Sequence, residues 1–413
     1  MLLTSFIREY KKKVLIGLNK RFFPKTDLLN EVLILDESKK KLQIKLEHIL
    51  SKSKNFSKFL GKKDKINSTE FKKEIKSLRD QLVDISEKLS KKLLQIPNIP
   101  DECVKTGKSK EENELIYQEG DFPTLSKSSL PHWNLEKKFR IFDFETGTKI
   151  SQKGFPIYLG QGARFQRGLI QYFLDKNTES GYFEYELPYL VNEISVQSTG
   201  QLPDKEFQMY HLGKDNLYLI PTGEVPLMNI FRNKILEKKQ LPIKATTYTP
   251  CFRREAGSYG NPVRGLNRIH QFHKVEIIQI TEPKKSNFAF EEMKEHIIRL
   301  LRSLELPFRV LKLCGGNLGF TASITYDFEV YSAAQHRWLE VSSLSNCTDY
   351  QSNRLHLRYR TDEGKKTLCH SLNGSALAIP RVLAALMENN QKKEYITLPK
   401  VLVPYTGFEV IKK

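Results

Sequence analysis

Four arginines crowd one short stretch of this chain: Arg253, Arg254, Arg264 and Arg268. A guanidinium is planar, permanently charged and forked, which suits bidentate binding of a carboxylate or a phosphate. One acid, Glu255, lies among them, with Gly257, Gly260, Asn261, Pro262 and Gly265, which are turn residues and not core residues. The stretch therefore reads as an anion site at a loop; the plainer alternative is a solvated hairpin with scattered charge. Further along, Arg381 falls near the start of a helical run and close to Gly374-Ser375, read as a turn, where an anion would again sit. Upstream, Thr222 and Glu224 flank Gly223 at the end of an apolar run. A hydroxyl and a carboxylate there suit an ammonium group, and equally suit the N-cap of the helix that follows.

The elements that must hold these groups follow from periodicity. Ala245–Phe252 is rich in β-formers, and Ile269–Ile280 alternates apolar and polar residues through Phe272, Val275, Ile277 and Ile280. The two read as adjacent antiparallel strands joined by the glycine-rich loop. Residues 163–174 give one helix face, ended by Gly181, and Tyr182–Tyr185 starts a strand. A helical run is expected from Val225 to Leu236 and another over 287–304. Residues 308–313, DFEVYS and RWLEVSSLSNCTDYQ read as strands, the last carrying Glu340, Ser342 and Ser343. A final strand, Lys366–Asn373, leads to a helix from Ala376 to Met387. Strands that pair locally, with helices interspersed, lack the βαβ rhythm of a doubly wound sheet and place the chain in the α+β class.

Several chemistries are set aside. Neither GxGxxG nor GxxxxGK[ST] follows a strand. His270 and His273, with Cys251 or Cys369, match no tight zinc spacing, so no zinc is expected. No Ser/His/Asp order stands out for nucleophilic catalysis. No window approaches 18 uncharged apolar residues, so no membrane association is expected. The N-terminus lacks the order of a signal peptide. Five widely spaced cysteines without CxxC fit a reduced, cytoplasmic protein.

The net charge of +19 is unevenly spread. Residues 1–110 hold 27 Lys and Arg against 14 Asp and Glu, while the other 303 hold 40 against 34. A basic appendage on a near-neutral body suits a polyanion. Within it, Leu28, Val32, Leu35, Leu42, Leu46 and Ile49 follow heptad spacing, as do Phe71, Ile75, Leu78, Leu82, Ile85 and Leu89. Two antiparallel helices of about 40 Å each are expected. A lysine-rich turn around Gly61 joins them, Ser68 or Thr69 caps the second, and Pro97 and Pro100 close the arm. A dimerising coiled coil would need no lysine-rich tip, so reach toward nucleic acid is the favoured reading. The domains are drawn at 1–105, the arm, and 106–413, the body.

The segment Cys251-Phe-Arg-Arg-Glu-Ala-Gly-Ser and its continuation Arg264-Gly-Leu-Asn-Arg-Ile-His-Gln-Phe-His-Lys-Val-Glu resemble the second signature of the class II aminoacyl-tRNA synthetases. Asn373-Gly-Ser-Ala-Leu-Ala-Ile-Pro-Arg resembles the third, and the helix from Gly162 into Pro188 the first, which in this class forms a dimer interface. With Thr222-Gly-Glu224, Glu340-Val-Ser-Ser343 and the basic helical hairpin, nearly the whole chain is similar to the seryl-tRNA synthetases of bacterial type. Arg254 departs from the family, standing where a small residue is common. The resemblance implies an antiparallel sheet flanked by helices, a homodimer, and a ligase that activates L-serine with ATP and Mg²⁺. The product would be transferred to tRNA(Ser), and to tRNA(Sec) where that exists. It further implies that Arg253 holds the α-phosphate and the serine carboxylate. Glu255 and Arg254 would lie at the ATP, Phe272 under adenine and Arg381 on the γ-phosphate. Glu340, Val341, Ser342 and Ser343 would face the nucleotide, Glu340 and Ser343 through Mg²⁺. Thr222, Gly223, Glu224, Glu276, Asn373 and Ser375 would form the serine pocket. The loop 257–265 would meet the tRNA acceptor end. A paralogue that charges a carrier protein would be expected to lack the arm.

Overall fold

The computed structural model describes residues 1–59, 65–126, 129–204, 208–254 and 264–413, the side chains of 57–59 and 65–68 excepted. The chain divides into two compact units, 1–99 and 100–413. Among the described residues no helix is long and apolar enough to cross a membrane. All five cysteines are free.

Unit 1 contains two short helices, α1 (Thr4–Glu9) and α2 (Lys11–Lys20), and two long ones, α3 (Leu28–Phe59) and α4 (Lys65–Leu93). The long pair are the helices the heptads demand, packed side by side. Every heptad residue is buried or half-buried, whereas Ile34, Ile44 and Val83, off the stripe, are 63%, 67% and 59% exposed. Two helices can bury only the seam between them, so apolar residues elsewhere stay wet. The second helix begins at Lys65, not at Ser68 or Thr69. The expected turn around Gly61 lies outside the described residues. The N-terminal helices had no heptad or capping signal; α1 is tied to α3 by Thr4 Oγ1 donating to Asp36 at 3.0 Å and by an Arg8–Asp36 ion pair.

Unit 2 is built on an eight-stranded sheet. In chain order its strands are β1 (Glu114–Glu119), β2 (Phe183–Glu184), β3 (Ile243–Phe252), β4 (Gln271–Thr281), β5 (Phe308–Lys312), β6 (Ile324–Ser332), β7 (Arg337–Thr348) and β8 (His370–Ala378). Across the sheet they run β1-β5-β6-β7-β8-β4-β3-β2. Every pair is antiparallel except β2 with β3. The β3–β4 pair runs in unbroken register from Phe252 opposite Gln271 to Ile243 opposite Ile280, as the alternation requires.

The helices named here are α5 (His132–Phe139), α6 (Gly160–Glu179), α7 (Glu224–Asn229), α8 (Ser286–Ser303), α9 (Tyr350–Leu355) and α10 (Ile379–Asn389). One core joins Phe165, Leu169 and Phe173 of α6, Met293, Ile297 and Leu301 of α8, and Val382 and Leu386 of α10 to Val275 and Ile277 of β4. Because side chains alternate along a strand, burying 275 and 277 under helices turns 272, 274 and 276 to the opposite face.

Two expectations need correction, and one strand was not expected. The run from Val225 to Leu236 is helical only to Asn229; Asn233 takes φ +61° and Ile235 starts a short strand, so backbone geometry ends the helix early. Gly374-Ser375 is not a turn: both lie inside β8, with Gly374 opposite Leu344 and Ile277. The unexpected strand is β1, an edge strand paired with β5, whose apolar residues Leu115, Ile116 and Tyr117 are consecutive and do not alternate.

Candidate active site

The open face of β4, β7 and β8 forms the floor of a cavity of about 550 Å³, a size suited to a small-molecule or nucleotide ligand. Its lining includes Thr222, Glu224, Arg253, Phe272, Glu276, Glu340, Val341, Ser342, Ser343, Asn373, Ser375 and Arg381. Of the described residues singled out by sequence, Gly223, Arg254 and Arg264 do not line it. Arg254 Nε donates to Met209 O at 3.0 Å and its guanidinium lies 4.4 Å from the Tyr210 ring centroid. Glu255 and residues 257–263 of the loop lie outside the described residues.

One cluster in the cavity is acidic. Glu276 faces Ser375 across β8 and Thr247 across β3. Thr222 Oγ1 donates to Glu276 Oε2 at 3.1 Å, and Lys274 Nζ sits 2.5 Å from the same oxygen and 2.8 Å from Thr222 Oγ1. The N–H of Glu224 donates to Thr222 Oγ1 at 3.3 Å, so the threonine meets the first N–H of α7 as well as the carboxylate cluster. Gly223 is required between them: a Cβ there would stand 2.9 Å from Thr247 Cγ2. Glu224 Oε1 accepts from Gln351 Nε2 at 2.6 Å and Asn373 Nδ2 at 2.9 Å. Burial, and then the charge of Glu276, push the Glu224 carboxyl up to about 7.

A second cluster is basic. Arg253 donates from Nε to Pro221 O at 3.2 Å, and its guanidinium lies 5.3 Å from the Phe272 ring centroid. Arg381 donates to Asn267 O at 3.0 Å and to Glu340 O at 2.7 Å. Arg268 adds a third guanidinium to the lining. Ser342 Oγ donates to Ser375 O at 2.6 Å and ties β7 to β8.

The sequence reading missed Lys274, Gln351 and Asn267. Lys274 had a usable signal, since it stands two residues before Glu276 and so on the same strand face. Of the histidines weighed for zinc, His270 Nδ1 meets Tyr210 Oη at 2.9 Å, and His273 Nδ1 meets Tyr248 Oη at 2.6 Å. Burial lowers the His273 imidazole to about 4.

A buried network supports the basic cluster. Leu266 N–H donates to His132 Nε2 at 2.8 Å, so the imidazole proton is on Nδ1, which donates to Glu388 Oε1 at 2.7 Å. Gly265 packs on the same ring with φ +65°, and a Cβ there would stand 2.3 Å from His132 Nε2. Gln335 Nε2 donates to Glu388, and Gln335 Oε1 accepts from Asn267. The chain from α5 to α10 thus fixes the turn 265–267 that carries the carbonyl held by Arg381. His132→Ala is expected to cost about 2–3 kcal/mol in urea unfolding, because it strands a buried N–H and part of a buried carboxylate. Stability unchanged within error would remove the network from that role.

An antiparallel sheet backed by helices, with paired carboxylates and arginines on its open face, defines the catalytic core of a class II aminoacyl-tRNA synthetase. Residues 207–390 match the family described as tRNA synthetase class II core domain (G, H, P, S and T), and residues 1–100 match the seryl-tRNA synthetase N-terminal domain. The serine–tRNA ligase of Salinibacter ruber is 42% identical over 99% of this chain and 98% of its own length. The seryl-tRNA synthetase of Pyrococcus horikoshii, solved with ATP, superposes with a TM-score of 0.91 at 31% identity, covering 100% of this chain and 99% of that one. The cytoplasmic enzyme of Naegleria fowleri, solved with AMP, gives 0.87 at 30% identity with the same coverage. The chain belongs to the seryl-tRNA synthetase family. It is a serine–tRNA ligase, with serine, ATP and tRNA as substrates.

Proposed function

We propose the following division of labour for the ligase reaction. The observation that carries it is one cavity lined by two buried carboxylates, Glu224 and Glu276, and three guanidiniums, those of Arg253, Arg268 and Arg381. Serine is a zwitterion bearing a hydroxyl, and ATP is a polyanion. The acidic cluster of Thr222, Gly223, Glu224, Glu276, Asn373 and Ser375 takes the ammonium and hydroxyl of serine. Arg253 takes its carboxylate and the α-phosphate. Phe272 stacks on adenine, Arg381 binds the γ-phosphate, and Glu340, Val341, Ser342 and Ser343 line the nucleotide. Glu255 is assigned to the ATP by motif alone; Arg254, turned to Met209 and Tyr210, is not given a nucleotide contact.

In the first step a serine carboxylate oxygen attacks the α-phosphorus. The bond to the bridging oxygen breaks and pyrophosphate leaves. In the second, a hydroxyl of the 3′-terminal ribose attacks the carbonyl of seryl-adenylate and AMP leaves. Neither step needs a protein nucleophile; both need alignment and neutralised charge.

Mg²⁺ fits beside Glu340 and Ser343. Both offer hard oxygen donors, and Asp327, opposite Ser343, has a buried Oδ1 without a hydrogen-bond partner among the described residues. Those residues hold no cluster of three His, Cys, Asp or Glu side chains able to ligate a metal. Phosphate oxygens would therefore complete the shell, and the ion would offset charge on the phosphates. The lysine-rich arm binds the tRNA backbone, and the loop 257–265 meets the acceptor end. A homodimer forms along α6 and β2; Phe183, on the outermost strand, is 67% exposed.

The test is ATP–pyrophosphate exchange across the twenty amino acids. Serine alone should support it well. In Glu276→Ala the KM for serine should rise about 100-fold or more while that for ATP stays within about threefold, because only serine loses a buried partner. Equal loss of both would move Glu276 out of the amino-acid pocket.

A further inference from the structure

The two buried carboxylates are held in opposite ways. Each has one oxygen tied and one open. Glu224 Oε1 accepts from two neutral amides, those of Gln351 and Asn373, while its Oε2 has no partner among the described residues. Glu276 Oε2 is held by the Lys274 ammonium and the Thr222 hydroxyl, while its Oε1 has none. Amide donors bring no opposing charge to a carboxylate, so whatever negative charge Glu224 carries is left for a ligand cation. An ammonium at 2.5 Å in a buried site largely cancels the charge of Glu276. The lysine is itself enclosed, with its side chain 9% exposed; its direct ion pair is with Glu276, and Glu224 feels its charge only without contact. Gln351 is equally fixed: its Oε1 accepts from Ser371 Oγ at 2.9 Å and its Nε2 also reaches Thr199 O at 3.2 Å.

We propose that Lys274 is a positioning residue for substrate selection: by compensating Glu276 it makes that carboxylate prefer a neutral hydroxyl donor, and leaves Glu224 as the site for the ammonium. This rests on the serine pocket assigned above. An open oxygen on a compensated carboxylate still accepts a hydrogen bond, but a second cation there meets the repulsion of Lys274. The selection is thus against a side-chain amine at the β-carbon, the cationic counterpart of serine's hydroxyl. Apolar side chains are rejected separately, since they leave Oε1 unpaired. Without Lys274 the cavity would hold two uncompensated carboxylates and would favour a substrate with two amines.

The full-length chain is assayed by ATP–pyrophosphate exchange with L-serine and with L-2,3-diaminopropionate, which has an amine where serine has its hydroxyl. The native protein should strongly prefer serine. In Lys274→Gln, which keeps donors toward Glu276 and Thr222 but removes the charge, kcat/KM for serine should fall about tenfold and that for diaminopropionate should rise. The preference should shift by about 100-fold in total, with the KM for ATP within about threefold. Lys274→Met should shift it in the same direction, and Lys274→Arg should restore the preference for serine. Lys274→Gln with the native preference, or with both amino acids and ATP weakened alike, overturns the proposal. If Lys274→Gln does not fold, a Lys274→Arg chain that folds and has lost the preference for serine also overturns it. Absence of serine-dependent exchange in the native chain would overturn the pocket assignment itself.

Discussion

Arg253→Ala is expected to lower serine-dependent ATP–pyrophosphate exchange by about 10²- to 10³-fold, with the chain still folded. That is the usual cost of removing one preorganised donor from a developing anion. The site leaves little room for a substitute. The backbone N–H of Arg253 donates to His270 O at 2.9 Å and fixes where the side chain starts. Its Nε donates to Pro221 O, which orients the guanidinium over the Phe272 ring. Arg253 lines the cavity, and its charge is felt by Glu224. On the proposed assignment two anions meet there, the serine carboxylate and the α-phosphate, and their mutual repulsion opposes alignment. A forked cation can bridge both, whereas a lysine is a single point charge. Arg253→Lys should therefore recover only part of the loss, about tenfold, and mainly in kcat. Single-turnover adenylate formation would separate this from substrate binding. If Arg253→Ala raised only the KM for ATP and left kcat intact, the residue would be binding the nucleotide uniformly and not the transition state.

Much of this site was legible because the chemistry lies on one alternating strand pair. Thr246 to Thr249 and the alternation after Gln271 give the pairing of β3 with β4, whereas Phe272 and Glu276 are placed by the family resemblance. The arm was legible for a similar reason: a heptad stripe needs no distant partner to be recognised. What escaped was set by tertiary context. Lys274 in an alternating strand reads as a solvent-facing residue, and only the layer above the open face turns that position into a buried counter-ion. Gln351 reaches Glu224 from α9, 127 residues away in sequence, with no local pattern to mark it. The His132–Glu388 pair spans 256 residues. Gly374-Ser375 was misread because small residues punctuate turns far more often than they sit in the middle of a strand; here Ser375 lines the cavity, and Gly374 faces the core, where a Cβ would stand 2.9 Å from Leu344 Cδ1. The helix from Glu224 ends at Asn229, where hydrophobic periodicity alone would have continued it.

Removing the arm, residues 28–96, and joining Asp27 to Pro97 through a short glycine linker should abolish tRNA charging while sparing the first half-reaction. The ends of the deletion can be joined because Arg21 Nε donates to Asn98 O at 2.6 Å, which brings the chain before α3 close to the chain after α4. The deleted segment holds 17 Lys and Arg against 10 Asp and Glu. On the proposed reading its long seam would supply stiffness, and its charge would supply affinity for a phosphate backbone without base-specific contacts. Loss of several phosphate contacts at physiological salt should cost about 10³-fold in kcat/KM for tRNA. Exchange with serine and ATP should stay within about twofold, since none of the residues lining the cavity belongs to the arm. Salt separates a specific role for the charge from mere bulk. In the full chain the KM for tRNA should climb steeply with ionic strength, whereas residual charging by the deletion should respond weakly. Charging that survives the deletion, or a salt dependence that is unchanged by it, would move tRNA recognition to unit 2. The arm would then be a rigid helical pair with some other partner.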